Sequence, residues 1–159
     1  MASDRGQGAA PAPPNGPVLF AYDGSDLAGL AIEQAGQQLA PGREALVACV
    51  WQTGDVGFLP IGEGHLNAAE ATEVREAAEE TAAQGASLAS SAGFRASGVA
   101  LEAAPTWKGI VEIARERRAS LIVLGSHRRS GLAGHLLGSV AAAVAAHAES
   151  AVLITHSST

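Results

Sequence analysis

The apolar residues of the chain fall into short unbroken runs that alternate with longer stretches of helical period. Val18 to Tyr22, Ala45 to Trp51, Val99 to Glu102, Leu121 to Leu124 and Ala151 to Thr155 are the runs, and turn-forming or polar residues bound them. Runs of this kind suit strands covered on both faces. Leu27, Leu30, Ala31, Ala35 and Leu39 recur at helical spacing and predict a helix from Asp26 to Leu39 that Ser25 or Asp26 can cap. Ala69, Val74, Ala77, Ala78 and Leu88 predict a second helix from Leu66 to Ala92. Ile110, Val111 and Ile113 predict a third from Trp107 to Arg117, and Val140, Ala141, Val144, Ala145 and Ala148 a fourth from Ser139 onward. Pro41-Gly42 and Gly93 end the first two. Strand and helix therefore alternate from end to end, which predicts an α/β fold with a parallel sheet, right-handed crossovers and helices on both faces.

The final strand has no helix after it, so it is expected at an edge of the sheet. Unpaired backbone groups there favour a second copy, and a homodimer through Ala151, Val152, Leu153, Ile154 and Thr155 is expected. Two stretches show no period. Residues 1–17, MASDRGQGAAPAPPNGP, read as a mobile leader before a domain spanning 18–159. Gln52 to Gly64 carries four glycines and Pro60 and reads as a surface loop at the carboxyl end of a strand, where it can lie over a site as a flap.

Composition narrows the class. A chain of 159 residues with 47% apolar and 16% charged residues is globular and large enough to bury its own core. A net charge of −6 argues against a broad nucleic-acid or membrane-surface binder, either of which needs a basic face. Cys49 is the one cysteine, which excludes an internal disulfide and suits a reducing compartment, with Cys49 read as core. There is no apolar run of membrane-spanning length and no secretory layout at the start of the chain, so the protein is expected in the cytoplasm. Glu70, Glu73, Glu76, Glu79 and Glu80 read as a solvated helix face, and Trp51 as a packing residue.

The candidate chemistry gathers between Leu121 and His147. Gly125 to Leu137 is at the upper edge of ordinary loop length, and loops of that size in compact domains carry function or are disordered. Glycines at 125, 131, 134 and 138 let the backbone approach a ligand, and Ser126, Ser130 and Ser139 supply hydroxyls. At the start of the last helix the amides of Gly138, Ser139 and Val140 lack partners inside the helix, and with the positive end of its dipole they form an anion site. The plainer alternative is that these glycines only turn the chain and Ser139 only caps the helix. Asp23 follows the first strand, where an open parallel sheet places ligands, and can accept from a ribose or base or help hold a metal; alternatively it only closes an Asx turn.

Tyr22-Asp23-Gly24-Ser25, Gly125-Ser126-His127, Gly138-Ser139-Val140 and the closing AVLIT strand together resemble the universal stress protein family, over nearly the whole span from Val18 to Thr155. The resemblance implies a Rossmann-like domain of the adenine-nucleotide alpha-hydrolase-like type with sheet order 3-2-1-4-5 and a dimer through the last strand. It also implies adenine nucleotide binding in those members that carry the ATP signature, a glycine, two residues, a glycine, nine residues, then glycine and serine or threonine. Here Gly125 and Gly138-Ser139 match at the required spacing, while Arg128 stands at the middle glycine. An arginine there replaces backbone contacts with charge, since guanidinium–phosphate hydrogen bonds are strong. On the resemblance, adenosine lies against Ala21, Asp23 and Val50 with Leu124 and Gly125 as floor. The phosphates meet Gly138, Ser139 and Val140, with Arg128 as a cation beside them and Ser126 also counted among the binding residues, and Mg²⁺ accompanies a triphosphate; no metal ligand is assigned.

Neither a Gly-Lys-Ser/Thr phosphate loop nor a Ser-His-Asp spacing is present, and the five histidines are scattered. No catalytic residue is assigned, and any ATP cleavage is expected to be slow. The expected function is a dimeric sensor or regulator that binds ATP, ADP or AMP in a stress response. The alternative is a nucleotide-free interaction protein of the same fold.

Overall fold

Every strand of the main sheet carries apolar side chains on both sides, and the fold follows from covering them. The computed structural model describes residues 15–52, 68–127, 129–131 and 134–157. In chain order these form β1 (Val18–Ala21), α1 (Asp26–Gln38), β2 (Glu44–Trp51), α2 (Ala68–Ser91), β3 (Arg95–Glu102), α3 (Thr106–Glu116), β4 (Leu121–Gly125), β5 (Arg129–Gly131), β6 (Gly134–Leu136), α4 (Ser139–His147) and β7 (Ala151–Thr155). The leader residues 1–14, nearly all of the expected flap (53–64), the start of the second helix and Arg128 lie outside the described residues.

The sheet runs β3-β2-β1-β4-β7, all parallel. Counting only its five strands, this is the order 3-2-1-4-5, with the last strand at an edge. Side chains alternate across it with period two. Val18 and Phe20 of β1, Ala45 and Val47 of β2 and Val123 of β4 pack with Ala28, Ala31, Ile32 and Ala35 of α1 and Ala89 of α2. Leu19, Leu46, Ile122 and Leu124 point the other way, against Ile110, Ile113 and Ala114 of α3 and Ala141 and Val144 of α4. Two cores thus flank one sheet, which is why the strands lack a polar alternate. Cys49 and Trp51 are buried against Ala78 and Ala82 of α2, on the side away from α3. No described helix is long and apolar enough to cross a membrane.

Three elements depart from the pattern-based reading. β3 starts at Arg95 rather than Val99, because it pairs with β2 along its whole length from Glu44↔Arg95 to Trp51↔Glu102. Backbone pairing, not side-chain pattern, extends it across the polar Ser97 and across Gly98, where a Cβ would lie 2.6 Å from the Ala82 carbonyl oxygen of α2. The Gly125 to Leu137 segment, expected as an irregular loop, holds the antiparallel pair β5 and β6, three residues each, too short to show a period. Gly16 and Pro17, assigned by composition to the leader, are tied to the base of the sheet. The Gly16 carbonyl accepts from Arg43 Nη2 at 3.0 Å and Ser120 Oγ at 2.7 Å, and the Pro17 carbonyl accepts from the Ser120 amide at 3.0 Å.

Helix α2 lies close on the sheet because Gly85 has no side chain. A Cβ there would stand 2.6 Å from both Tyr22 Cδ1 and Val47 Cγ1. Gly29, in the first turn of α1, meets nothing nearer than Leu88 Cδ1 at 3.7 Å. Gly85→Ala is therefore expected to lose about 1–3 kcal/mol to overpacking, whereas Gly29→Ala is expected to gain up to about 1 kcal/mol through helix propensity. Urea unfolding of the two variants beside the parent checks both signs.

Candidate functional site

Strands β1 and β4 are neighbours, yet the chain leaves β1 toward β2 and leaves β4 toward β7. The connections diverge, and a crevice opens at their carboxyl ends, the usual position for a ligand in an open α/β sheet. A cavity of about 530 Å³ occupies it, within the range of small-molecule sites. Ala21, Asp23 and Val50 line it from β1 and β2, and Leu124, Gly125 and Ser126 from β4. Gly138, Ser139 and Val140 line it from the start of α4. Nine of the ten sequence-assigned site residues thus share one cavity, and the tenth, Arg128, lies outside the described residues.

Turn chemistry places the acidic wall. Asp23 accepts the Ser25 amide on Oδ1 at 3.0 Å, and Ser25 Oγ accepts the Ala28 amide at 3.2 Å as the N-cap of α1. The Asx turn and the cavity-lining position are therefore both real. Gly24 between them has φ +83°, which a side chain would disfavour. Only one carboxylate oxygen of Asp23 serves the turn, and Asp23 is the single carboxylate among the described lining residues. Burial pushes the Tyr22 hydroxyl above its ordinary range, with the charges of Asp23 and Asp26 adding to it. The phenol therefore contributes no negative charge to the cavity.

The opposite wall is the start of α4, and it corrects two expectations. Ser139 does not cap the helix; Gly138 holds the N-cap position and offers no side chain. The Gly138 amide is not open either, because it donates to Ser126 Oγ at 2.9 Å. The amides without a carbonyl one turn earlier are those of Ser139, Val140 and Ala141, since the intrahelical series begins with Ala142 donating to the Gly138 carbonyl. Ser126 is 3% exposed and is fixed on three sides. Its amide donates to the Thr155 carbonyl at 2.9 Å, its carbonyl accepts from His156 Nδ1 at 3.2 Å, and its hydroxyl holds Gly138. A carbonyl only accepts, so Nδ1 of His156 carries the proton.

Gly125 lines the cavity and also has a packing task. A Cβ there would lie 2.8 Å from the Leu27 carbonyl oxygen and from Leu27 Cγ, so its glycine lets α1 close on β4. A Cβ at Gly138 would meet only Ser126 Oγ, at 3.4 Å. Sequence reasoning missed the contribution of α3, whose Thr106 and Ile110 line the cavity, and that of Ala48 and Ala141. The signal was present in principle: in a parallel sheet the first turn of each following helix lies at the carboxyl end of its strands. Trp51 and Lys108 are not among the lining residues, and Lys108 pairs with Glu112 at 4.0 Å. Among the described residues no group of three or more His, Cys, Asp or Glu could hold a metal ion.

A doubly wound parallel sheet with a helix N-terminus and a carboxylate facing each other across its switch point defines a Rossmann-like α/β protein with a crevice fit for an anionic ligand. Within that class the chain belongs to the universal stress protein family, whose model matches residues 14–156. Similar solved structures include a universal stress protein in complex with cAMP, 27% identical, TM-score 0.64, covering 90% of this chain and 98% of that one. A universal stress protein from Archaeoglobus fulgidus in complex with dAMP is 25% identical over 87% of this chain and 95% of that one, with TM-score 0.55. The hypothetical protein MJ0577 shares the fold at 21% identity and TM-score 0.68, over 91% of this chain and 98% of its own. No curated protein sequence matches the chain significantly.

The hydroxyl of Ser126 is expected to hold the helix to the sheet. Ser126→Ala leaves the part-buried Gly138 amide unpaired and should cost about 1–3 kcal/mol. Ser126→Thr, which keeps the acceptor, should recover most of it. Denaturant midpoints of the two variants measure the difference.

Proposed function

We propose that the chain binds an adenine nucleotide, ATP, ADP or AMP, in the crevice between β1 and β4 and serves as a dimeric sensor or regulator in a stress response. The observation that carries this reading is the polarity of the cavity. At one end are the amides of Ser139, Val140 and Ala141, the Ser126 hydroxyl and the positive pole of α4; at the other are Ala21, Ala48, Val50 and Ile110. The first suits phosphate and the second suits a flat apolar base. The ends of β2 and β4 stand two strand spacings apart, about 10 Å, a span that a nucleoside monophosphate bridges. Asp23, just past the end of β1 between them, accepts a ribose hydroxyl with the oxygen its turn leaves over. The relatives solved with cAMP and dAMP support the choice of adenine.

Magnesium finds no seat among the described residues beyond Asp23. In this reading it enters on the phosphates of a triphosphate, without a protein cage. His127 and Asp23 are the titratable side chains besides Tyr22 among the described lining residues; the reading assigns neither a catalytic role and is one of binding, with hydrolysis slow at most. Dimerisation is assigned to β7, whose outer edge pairs with no other strand in the sheet. Leu137 and Val140, 41% and 37% exposed beside the cavity, favour a second reading in which this end of α4 docks a protein partner and no nucleotide.

Protein purified without added ligand and then denatured should release an adenine nucleotide; absence of adenine absorbance, with a melting temperature unmoved by ATP, decides for the second reading. Gly138→Asp puts a carboxylate where the phosphate would sit and has room to do so. It should weaken binding of magnesium-ATP by at least about tenfold in calorimetry, and an unchanged heat of binding removes the site from the start of α4. Sedimentation should give twice the mass of one chain, and Ile154→Lys on β7 should reduce it to one.

A further inference from the structure

The apolar end of the cavity contains one polar side chain from α3, that of Thr106. Its position follows from close packing. On α3, a Cβ at Gly109 would lie 2.6 Å from Ala103 Cβ and 3.1 Å from Val50 Cγ1, so the bare glycine lets the helix rest against β2. Thr106, one turn earlier on the same helix face, is thereby set at the cavity beside Val50. Gln52, the residue after β2, then donates from Nε2 to Thr106 Oγ1 at 2.8 Å.

That bond decides what the hydroxyl can offer. A threonine hydroxyl has one proton to donate and two lone pairs. With the Gln52 proton on a lone pair, the Thr106 proton turns elsewhere. Threonines within helices usually give it to the carbonyl four residues back, and Thr72 and Thr81 of α2 do so, to Ala68 and Ala77 at 2.8 and 2.9 Å. Thr106 is the first residue of α3, with Pro105 as its N-cap, and has no helical carbonyl one turn earlier. Among the described residues its proton has no acceptor, and Thr106 itself lines the cavity.

We infer that Thr106 reads the base: oriented by Gln52, its hydroxyl donates to an unprotonated ring nitrogen of the bound purine. This rests on the reading of the cavity as an adenine nucleotide site and adds a side chain that contacts the base. Adenine offers N1, N3 and N7 as acceptors, and a hydroxyl whose acceptor side is already engaged complements one of them. Gln52 is the positioning residue and Thr106 the one in contact.

Calorimetry with AMP on the full chain tests it. Thr106→Val, of the same shape but without the proton, should bind AMP about tenfold more weakly, and Thr106→Ser within about twofold of the parent. One of the 1-deaza, 3-deaza and 7-deaza analogues of AMP should lose about tenfold on the parent and nothing further on Thr106→Val. The inference is overturned if the parent binds AMP and all three analogues alike, or if Thr106→Val binds AMP as the parent does. A parent that binds no AMP overturns the nucleotide reading as well, which separates the two failures. The analogue series on the unmodified protein requires no variant to fold.

Discussion

The contact on which the site depends is the hydrogen bond from the Gly138 amide to the Ser126 hydroxyl, 2.9 Å long and twelve residues apart in sequence. It joins the end of a central strand to the first turn of α4, and it does so from a buried serine whose amide and carbonyl are both engaged. Without it, α4 would be held by the packing of Ala141 and Val144 and the stacking of His147 on Trp107, which fix its depth but not where its first amides point. Ser126 consumes the one cap donor that would otherwise face the cavity. In return, the donors of Ser139, Val140 and Ala141 are held in a fixed fan, and preorganised donors bind an anion without first being ordered.

The same economy of side chains recurs wherever helix meets sheet. Gly85, Gly98, Gly109 and Gly125 each stand where a Cβ would come within 2.6 to 2.8 Å of a neighbouring atom. None of the four serves a turn. They let α2, α3 and α1 approach the sheet more closely than ordinary packing of larger residues allows. Two of those approaches shape the crevice: Gly125 admits the first turn of α1, which carries Leu27 to the cavity, and Gly109 admits α3, which carries Thr106 and Ile110. An alanine-rich chain with few large core residues depends on such short distances for its contacts. The width of the crevice is then set by backbone proximity as much as by its lining.

At the base of the sheet a different kind of bond does the joining. Arg43 reaches both the Gly16 carbonyl and Ser120 Oγ, linking the approaches to β1, β2 and β4. This guanidinium stands at the amino ends of the strands, far from the cavity at their carboxyl ends. Its charge therefore plays no part in anion recognition. The polar network that holds the strand starts in register and the polar network that faces the ligand occupy opposite ends of the same sheet.

The order of elements and the strands buried on two faces were legible in the sequence because burial on both sides leaves an unbroken apolar run, and because turn residues mark the ends. The family was legible for a related reason: Asp23-Gly24-Ser25 and Gly138-Ser139 stand at strand ends and helix starts, where local chemistry is constrained. What one-dimensional pattern did not contain was anything produced by pairing or approach. The first half of β3 exists because β2 lies beside it, and the hairpin of β5 and β6 is too short to be periodic. Gly125 proved to be a packing glycine, the amide of Gly138 was taken by a serine twelve residues away, and Thr106 reached the cavity from a helix that shows no motif. The sequence by itself determined which segments are strands and helices, since each buries its own periodic face. Only the tertiary structure decided which donors stay unpaired in the crevice, because a hydrogen bond between distant residues leaves no trace in spacing.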